Sequence, residues 1–278
     1  MTIILCTVLL MGVQTHPQDA AFRQEAVLTG DAEVALSPAP TPISPELHRT
    51  ADETKSKVDV DIEVVEVVPD FRAITNVSDR KRTFFDFLAP KINAANANIR
   101  QDRKWLLSIQ SQRLEESHRV RLRSLASEYK MADDLEVAIL LRELMLRVDE
   151  IPVSLVLAQG ATESGWGTSR FAREANNFFG IWCFSSGCGL TPLSRDAGRT
   201  HQVARFATVA DGVRHYMNNI NTHRAYADFR HIRATLKPSD PAGIALAEGL
   251  KHYSERGDDY VQDIKGMIRY NQLARFDP

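Results

Sequence analysis

The 278-residue chain is 44% hydrophobic and 25% charged, with a formal net charge of -2. That balance excludes a disordered or fibrous chain and leaves no basic field of the kind that holds nucleic-acid backbones. A chain of this length can bury one substantial core.

The N-terminus opens on an apolar run, Ile3 to Val13. It is too short to span a hydrocarbon core of roughly 30 Å comfortably, and about right for the core of a signal peptide. No Lys or Arg precedes it and no small-x-small cleavage site stands out after Val13. Residues 1–16 are therefore expected as a signal peptide or an N-terminal membrane anchor. The protein is expected to be exported, to the periplasm or cell envelope. Residues 17–80 read as a Pro-rich and acidic linker, because segments such as Leu36–Pro45 cannot bury enough apolar surface to offset chain entropy. Within it, Val58–Val68 alternates apolar and acidic residues, which suits an edge strand or a solvated linker equally.

From Lys81 a helical pattern sets in through Phe84, Phe85, Leu88 and Ile92, and continues on one face through Trp105, Leu106, Ile109, Leu122 and Leu125. This predicts a helical neck over 81–130. A second amphipathic stretch, Leu135–Val148, leads to Ile151-Pro152, where proline suits the first turn of a new helix. Residues 131–278 are expected as a separate catalytic domain. In it, Thr208 and Asp211 form a capping-box pattern, and Pro241 marks another helix start. Cys183 and Cys188 are spaced to close a small disulfide loop in an oxidising compartment, with two free thiols as the alternative. The histidines show no ligand spacing, so neither a metal nor a cofactor is expected.

The most informative segment is Pro152–Gly167. Glu163 lies at its end and shares a helical face with Gly160, Gln159 and Val156, a stripe otherwise apolar or small. Desolvation there would raise the carboxyl pKa and let the group act as a general acid near neutral pH. Trp166, between two glycines, offers a flat wall against which a sugar ring can stack. On spacing alone, a Glu that caps or pairs at a helix end is the better account.

Longer motifs shift that balance. Ala158-Gln159-Gly160-Ala161-Thr162-Glu163-Ser164-Gly165-Trp166-Gly167 and Ala175-Asn176-Asn177-Phe178-Phe179-Gly180-Ile181-Trp182 resemble the glucosaminidase domains of bacterial cell-wall hydrolases, which are mannosyl-glycoprotein endo-beta-N-acetylglucosaminidase-like. Gly180–Leu190, Asn221-Thr222-His223 and Tyr253-Ser254-Glu255-Arg256-Gly257 are similar to the Bax-like branch of that family. The resemblance implies a mostly α (α+β), lysozyme-like helical domain with a small β-hairpin lobe. It implies an endo-beta-N-acetylglucosaminidase that cleaves the β-1,4 bond after N-acetylglucosamine in peptidoglycan glycan strands. Glu163 would be the general acid and Tyr253 the site tyrosine facing it. Asp196, the sole carboxylate between Trp182 and Phe206, is the candidate second acid, with an exposed turn aspartate as the alternative. Trp166, Asn177, Phe179, Trp182 and Tyr260 are candidate substrate contacts. For Tyr260 the helical stripe with Ile264 and Ile268 favours a core position, and for Asn177 a structural role near the site is favoured. A monomer is expected. A lytic transglycosylase, which also relies on one glutamate, and a non-catalytic wall-binding protein are the alternatives.

Overall fold

In the computed structural model the described residues are 66–132, 134–193, 200–237 and 239–278. The expected leader, the linker up to residue 65 with most of the alternating Val58–Val68 segment, and the hairpin tip bearing Asp196 lie outside them.

The helices are α1 (Val77–Ile109), α2 (Glu116–Glu128), α3 (Val137–Arg147), α4 (Val153–Ser164), α5 (Arg170–Ala175), α6 (Val209–Thr222), α7 (Ala227–Thr235), α8 (Ala242–Leu246) and α9 (Asp258–Tyr270). Three short strands, β1 (Trp182–Cys183), β2 (Gly189–Leu190) and β3 (Gln202–Ala204), form an antiparallel sheet in the order β1-β3-β2. The chain is thus mostly α with a small β lobe. No helix among the described residues is long and apolar enough to cross a membrane.

Helix α4 is buried all round, from Val153 through Ala161, which fits a helix almost without charged residues. Its position is fixed at both ends. Asn96 of α1 donates to the Ile151 carbonyl (2.8 Å) and accepts from the Ile151 amide (3.0 Å), clamping the strand of chain that enters α4. Asp277, near the C-terminus, accepts from the Ser154 amide and hydroxyl at 2.8 and 2.6 Å. Gly160 lets α1 and the 178–180 turn approach closely: a Cβ there would stand 2.9 Å from Leu88 Cδ2 and 3.4 Å from the Phe179 ring.

The segment expected as a neck shares its core with the rest. Phe84, Leu88, Ile92, Leu106 and Ile109 belong to the same hydrophobic cluster as Leu155, Val156, Tyr216, Phe229 and Ile264. Phe71, inside the expected linker, is fully buried against Phe84 and Phe178. The helical pattern read through Leu125 is broken at 110–115, so two helices stand where one face was traced. Pro90 lies within α1, where it removes one backbone donor without ending the helix.

Thr208 and Asp211 form the expected capping box at the start of α6, and Pro241 directly precedes α8. Cys183 and Cys188 are disulfide-bonded, tying the end of β1 to the approach to β2. Arg233 of α7, a residue no motif singled out, is buried and donates to the carbonyls of Leu146, Asp149 and Glu150 and to Asn221 Oδ1. It ties α7 and α6 to the loop that leads into α4.

Candidate active site

Glu163 is the penultimate residue of α4, and the helix ends abruptly behind it. Gly165, Trp166 and Gly167 all take positive φ (56, 60 and 78°). Glycine is favoured at such positions because a Cβ crowds the following carbonyl. At Gly167 there is a second constraint, since a Cβ would meet the Phe71 ring at 2.3 Å. Ser164 closes the turn by donating to the Gly160 carbonyl (2.6 Å) and accepting from the Gly167 amide (2.8 Å).

The Glu163 carboxyl remains partly accessible, yet most of its surroundings are protein. Burial pushes its pKa up to about 7, against weaker opposing effects from the Tyr260 hydroxyl and the Arg256 charge. A line of hydrogen bonds leads to it. Tyr216 of α6 donates to Gln159 Oε1, Gln159 Nε2 donates to the Tyr260 hydroxyl at 3.0 Å, and Tyr260 of α9 donates to Glu163 Oε1 at 2.7 Å. Three helices therefore converge on one carboxylate oxygen. The other oxygen, Oε2, lies beside Gly180, whose Cβ position would be 3.7 Å from it; Gly180 itself has φ 63°.

The turn carrying Gly180 is built by Asn177. Its amide donates to the carbonyls of Ile181 and Ala204 (2.9 Å each), and its oxygen accepts from the amides of Phe179 and Ile181. Asn177 is buried, with all of these groups engaged inside the protein, so it shapes the site and is not free to bind sugar. Phe179 is likewise buried, stacked on Tyr216 at a ring distance of 4.2 Å, which corrects its expected role as a substrate contact. Trp166 packs edge-on against Phe84 and Phe85 of α1, with Lys81 Nζ 4.8 Å from its ring centre. Its half-buried ring joins α4 to α1.

The two tyrosines hold different parts of the site. Tyr253 donates its hydroxyl to the Phe179 carbonyl (2.7 Å), whereas Tyr260, placed in the core by its periodicity, is the one that reaches the acid. Their rings stack at 5.6 Å, nearly parallel. Tyr260 is indeed buried, so core position and contact with the acid coexist in one residue. Tyr253 still lines a cleft of about 220 Å³ together with Lys130, Ile181, Trp182, His215, Asn219 and Tyr226. Trp182 also lines this cleft, and its ring stacks on His201 at 4.3 Å. Tyr226 is near enough to Glu163 for that carboxylate's charge, after burial, to help push its hydroxyl above the usual range. Asp196 lies outside the described residues. No group of three or more His, Cys, Asp or Glu side chains able to hold a metal occurs among the described residues.

Two site residues escaped the sequence reading. Tyr216 looked like a plain core position at helical spacing, and Gln159 was noted only as sharing a face with Glu163. The sole signal was the presence of a polar amide on an otherwise apolar helix, since a buried amide must find partners.

Residues 140–273 match the family model described as "Mannosyl-glycoprotein endo-beta-N-acetylglucosaminidase". "Protein bax" of Escherichia coli (strain K12) is 36% identical over 209 residues, covering 74% of this chain and 74% of that protein. No solved structure is significantly similar. With this family match and a relative so alike over most of both chains, the chain belongs to the Bax-like glucosaminidase-domain family.

Proposed function

We propose that the protein is a peptidoglycan hydrolase that cleaves the β-1,4 bond after N-acetylglucosamine, with Glu163 as general acid. The observation that carries this reading is the Glu163 carboxyl itself: pushed up to about 7, held on one oxygen by Tyr260, and adjacent to a polar cleft. A glycosidic oxygen is a poor leaving group until protonated, and an acid with a pKa near the working pH combines a held proton with willingness to release it.

The hydrogen-bond directions support a proton on Oε2. Tyr260 fills Oε1 with its own O–H, while its oxygen accepts from Gln159, whose oxygen in turn accepts from Tyr216. The transferable proton therefore belongs on Oε2, beside Gly180, where the absence of a side chain leaves room for the leaving oxygen. In the step, the proton passes from Oε2 to the glycosidic oxygen and the C1–O bond breaks toward that oxygen. Water adds to C1 and returns a proton to the carboxylate. The positive charge at C1 is met by a second carboxylate, for which Asp196 is the hairpin candidate, or by the substrate's own acetamido oxygen. Trp182, half-exposed in the cleft, serves as the sugar-stacking aromatic. The Cys183–Cys188 bond supports action outside the cytoplasm, in the cell envelope, because such bonds persist in oxidising compartments. One chain supplies Glu163, its hydrogen-bond chain and the cleft, so the step as proposed draws on no second copy.

A lytic transglycosylase, which also relies on one glutamate, is the second reading; among the described residues the charged group that perturbs Glu163 is Arg256. Mass spectrometry of borohydride-reduced peptidoglycan digests separates the two. Reduced N-acetylglucosamine ends are expected. Anhydro-muramyl ends would move the protein to the transglycosylases, and a folded sample that releases nothing would leave only wall binding.

A further inference from the structure

The cleft beside Glu163 has a cation at its edge that the glycosidic step does not use. Lys130 follows the C-terminus of α2 and is exposed, with φ 55°, in the left-handed region where glycine is ordinarily preferred. The turn that holds it there is fixed from several sides. The Lys130 amide donates to the Ser127 carbonyl (3.0 Å) and the Met131 amide to the Ala126 carbonyl (2.9 Å). Arg147 donates to the Tyr129 carbonyl (2.9 Å), and Asn218 of α6 donates to the Glu128 carbonyl (3.2 Å). The first two of these bonds close α2 in a Schellman turn, and the turn sets Lys130 at the edge of the cleft.

Lys130 makes no ion pair with any described residue, and it lines the cleft with His215, Asn219, Tyr226, Tyr253 and Trp182. His215 and His223 have lowered pKa values, first through burial and then through nearby cations, Lys130 among them. Both are therefore neutral at pH 7, and Lys130 is left as the lone formal charge among the cleft-lining residues. Asn219 adds a neutral amide able to donate or accept. A cleft with a proton donor near one wall and a cation on another suits a sugar that carries an anion.

We propose that this cleft contains an anion subsite in which Lys130 receives a carboxylate borne by the glycan. The subsite rests on the peptidoglycan-hydrolase reading and deepens it, making the enzyme selective for charged over neutral β-1,4-linked N-acetylhexosamine chains. In peptidoglycan the carboxylate comes from the lactyl ether, once freed of its peptide, or from the peptide stem.

The test uses the full chain carrying Glu163→Gln, to prevent turnover, with and without Lys130→Gly. Glycine accepts the positive φ, so this change removes the cation and is expected to leave the melting temperature equal or higher. Affinity is measured by calorimetry for a neutral chitin oligosaccharide, a stem-free muramyl glycan and a stem-bearing glycan. Lys130→Gly is expected to weaken binding of the charged glycans roughly three- to tenfold, as for loss of one charge-assisted contact, and to leave the chitin oligomer unchanged. Loss with the stem-free muramyl glycan alone assigns the lactyl carboxylate, loss with the stem-bearing glycan alone assigns the stem, and loss with both shows that Lys130 receives either carboxylate. Equal affinities of the two proteins for the charged glycans, or an equal loss for chitin, would overturn the subsite. The wild-type chain is digested with peptidoglycan in parallel: fragments released there with no Lys130 effect reject the subsite alone, and no fragments at all reject the hydrolase reading beneath it.

Discussion

A carboxyl that titrates near 7 holds its proton in about half of the molecules at neutral pH, so the cleavage rate should fall as pH rises through about 7. Tyr260 works against burial by stabilising the charged form, so Tyr260→Phe should raise the Glu163 pKa further. We expect the alkaline limb of the pH–rate profile to move upward in Tyr260→Phe while kcat falls about tenfold, since an unheld acid is less well aimed. A limb that stays in place would mean that Tyr260 does not sense the acid. The same shift bears on stability. Glu163 titrates higher in the folded chain than the ordinary value of 4.5, so its contribution is complete below about pH 4.5 and is lost as pH rises through about 7. Glu163→Gln should therefore be more stable than wild type at pH 8, by up to roughly 3 kcal/mol, and lose that advantage near pH 4. Chemical denaturation at the two pH values measures it; equal stabilities at pH 8 would mean that the carboxyl is not desolvated. The sequence made Glu163 legible through its motif. It did not reveal Tyr260 as the contact or Tyr216 as its distant support, because both obey helical core spacing and become polar partners only when α6 and α9 cross α4.

The elements around the acid are held by polar side chains acting on backbone. Asn177 alone satisfies two carbonyls and two amides in the turn that places Gly180 and leads into β1. Asn177→Ala would leave these buried groups unpaired and should cost roughly 3 kcal/mol or more. Activity should fall further than stability predicts, because the Gly180 turn would lose its shape beside Oε2. A thermal melt together with residual activity below the transition tests this, and a variant with wild-type stability and rate would contradict it. Helix positions were largely readable from apolar periodicity, and the Thr208–Asp211 capping box from four residues of sequence. The break at 110–115 was not, since the apolar face continues across it. The roles of Asn96 and Arg233 were also hidden, as each satisfies backbone groups about fifty or more residues away.

At the scale of the molecule, the N-terminal helices complete the core in which α4 is buried. Gly160 of α4 meets Leu88 and Phe84 of α1, and Trp166 behind the acid is covered by Phe84 and Phe85. A fragment of residues 131–278 should thus fail to fold cooperatively, whereas 68–278 should show one thermal transition by circular dichroism. A cooperative melt of the shorter fragment would show that α1 is dispensable. The expected boundary at 130/131 came from composition and motif density, which mark where chemistry begins and say little about where a core ends. The most direct test of the whole account is the digestion of purified peptidoglycan by wild-type and Glu163→Gln chains of verified equal fold, scored by new reducing ends. We expect the variant to lose at least about a hundredfold in rate, because it keeps the size and hydrogen bonds of the side chain and removes only the proton on Oε2. A variant that cleaves at a rate near wild type would contradict Glu163 as the acid.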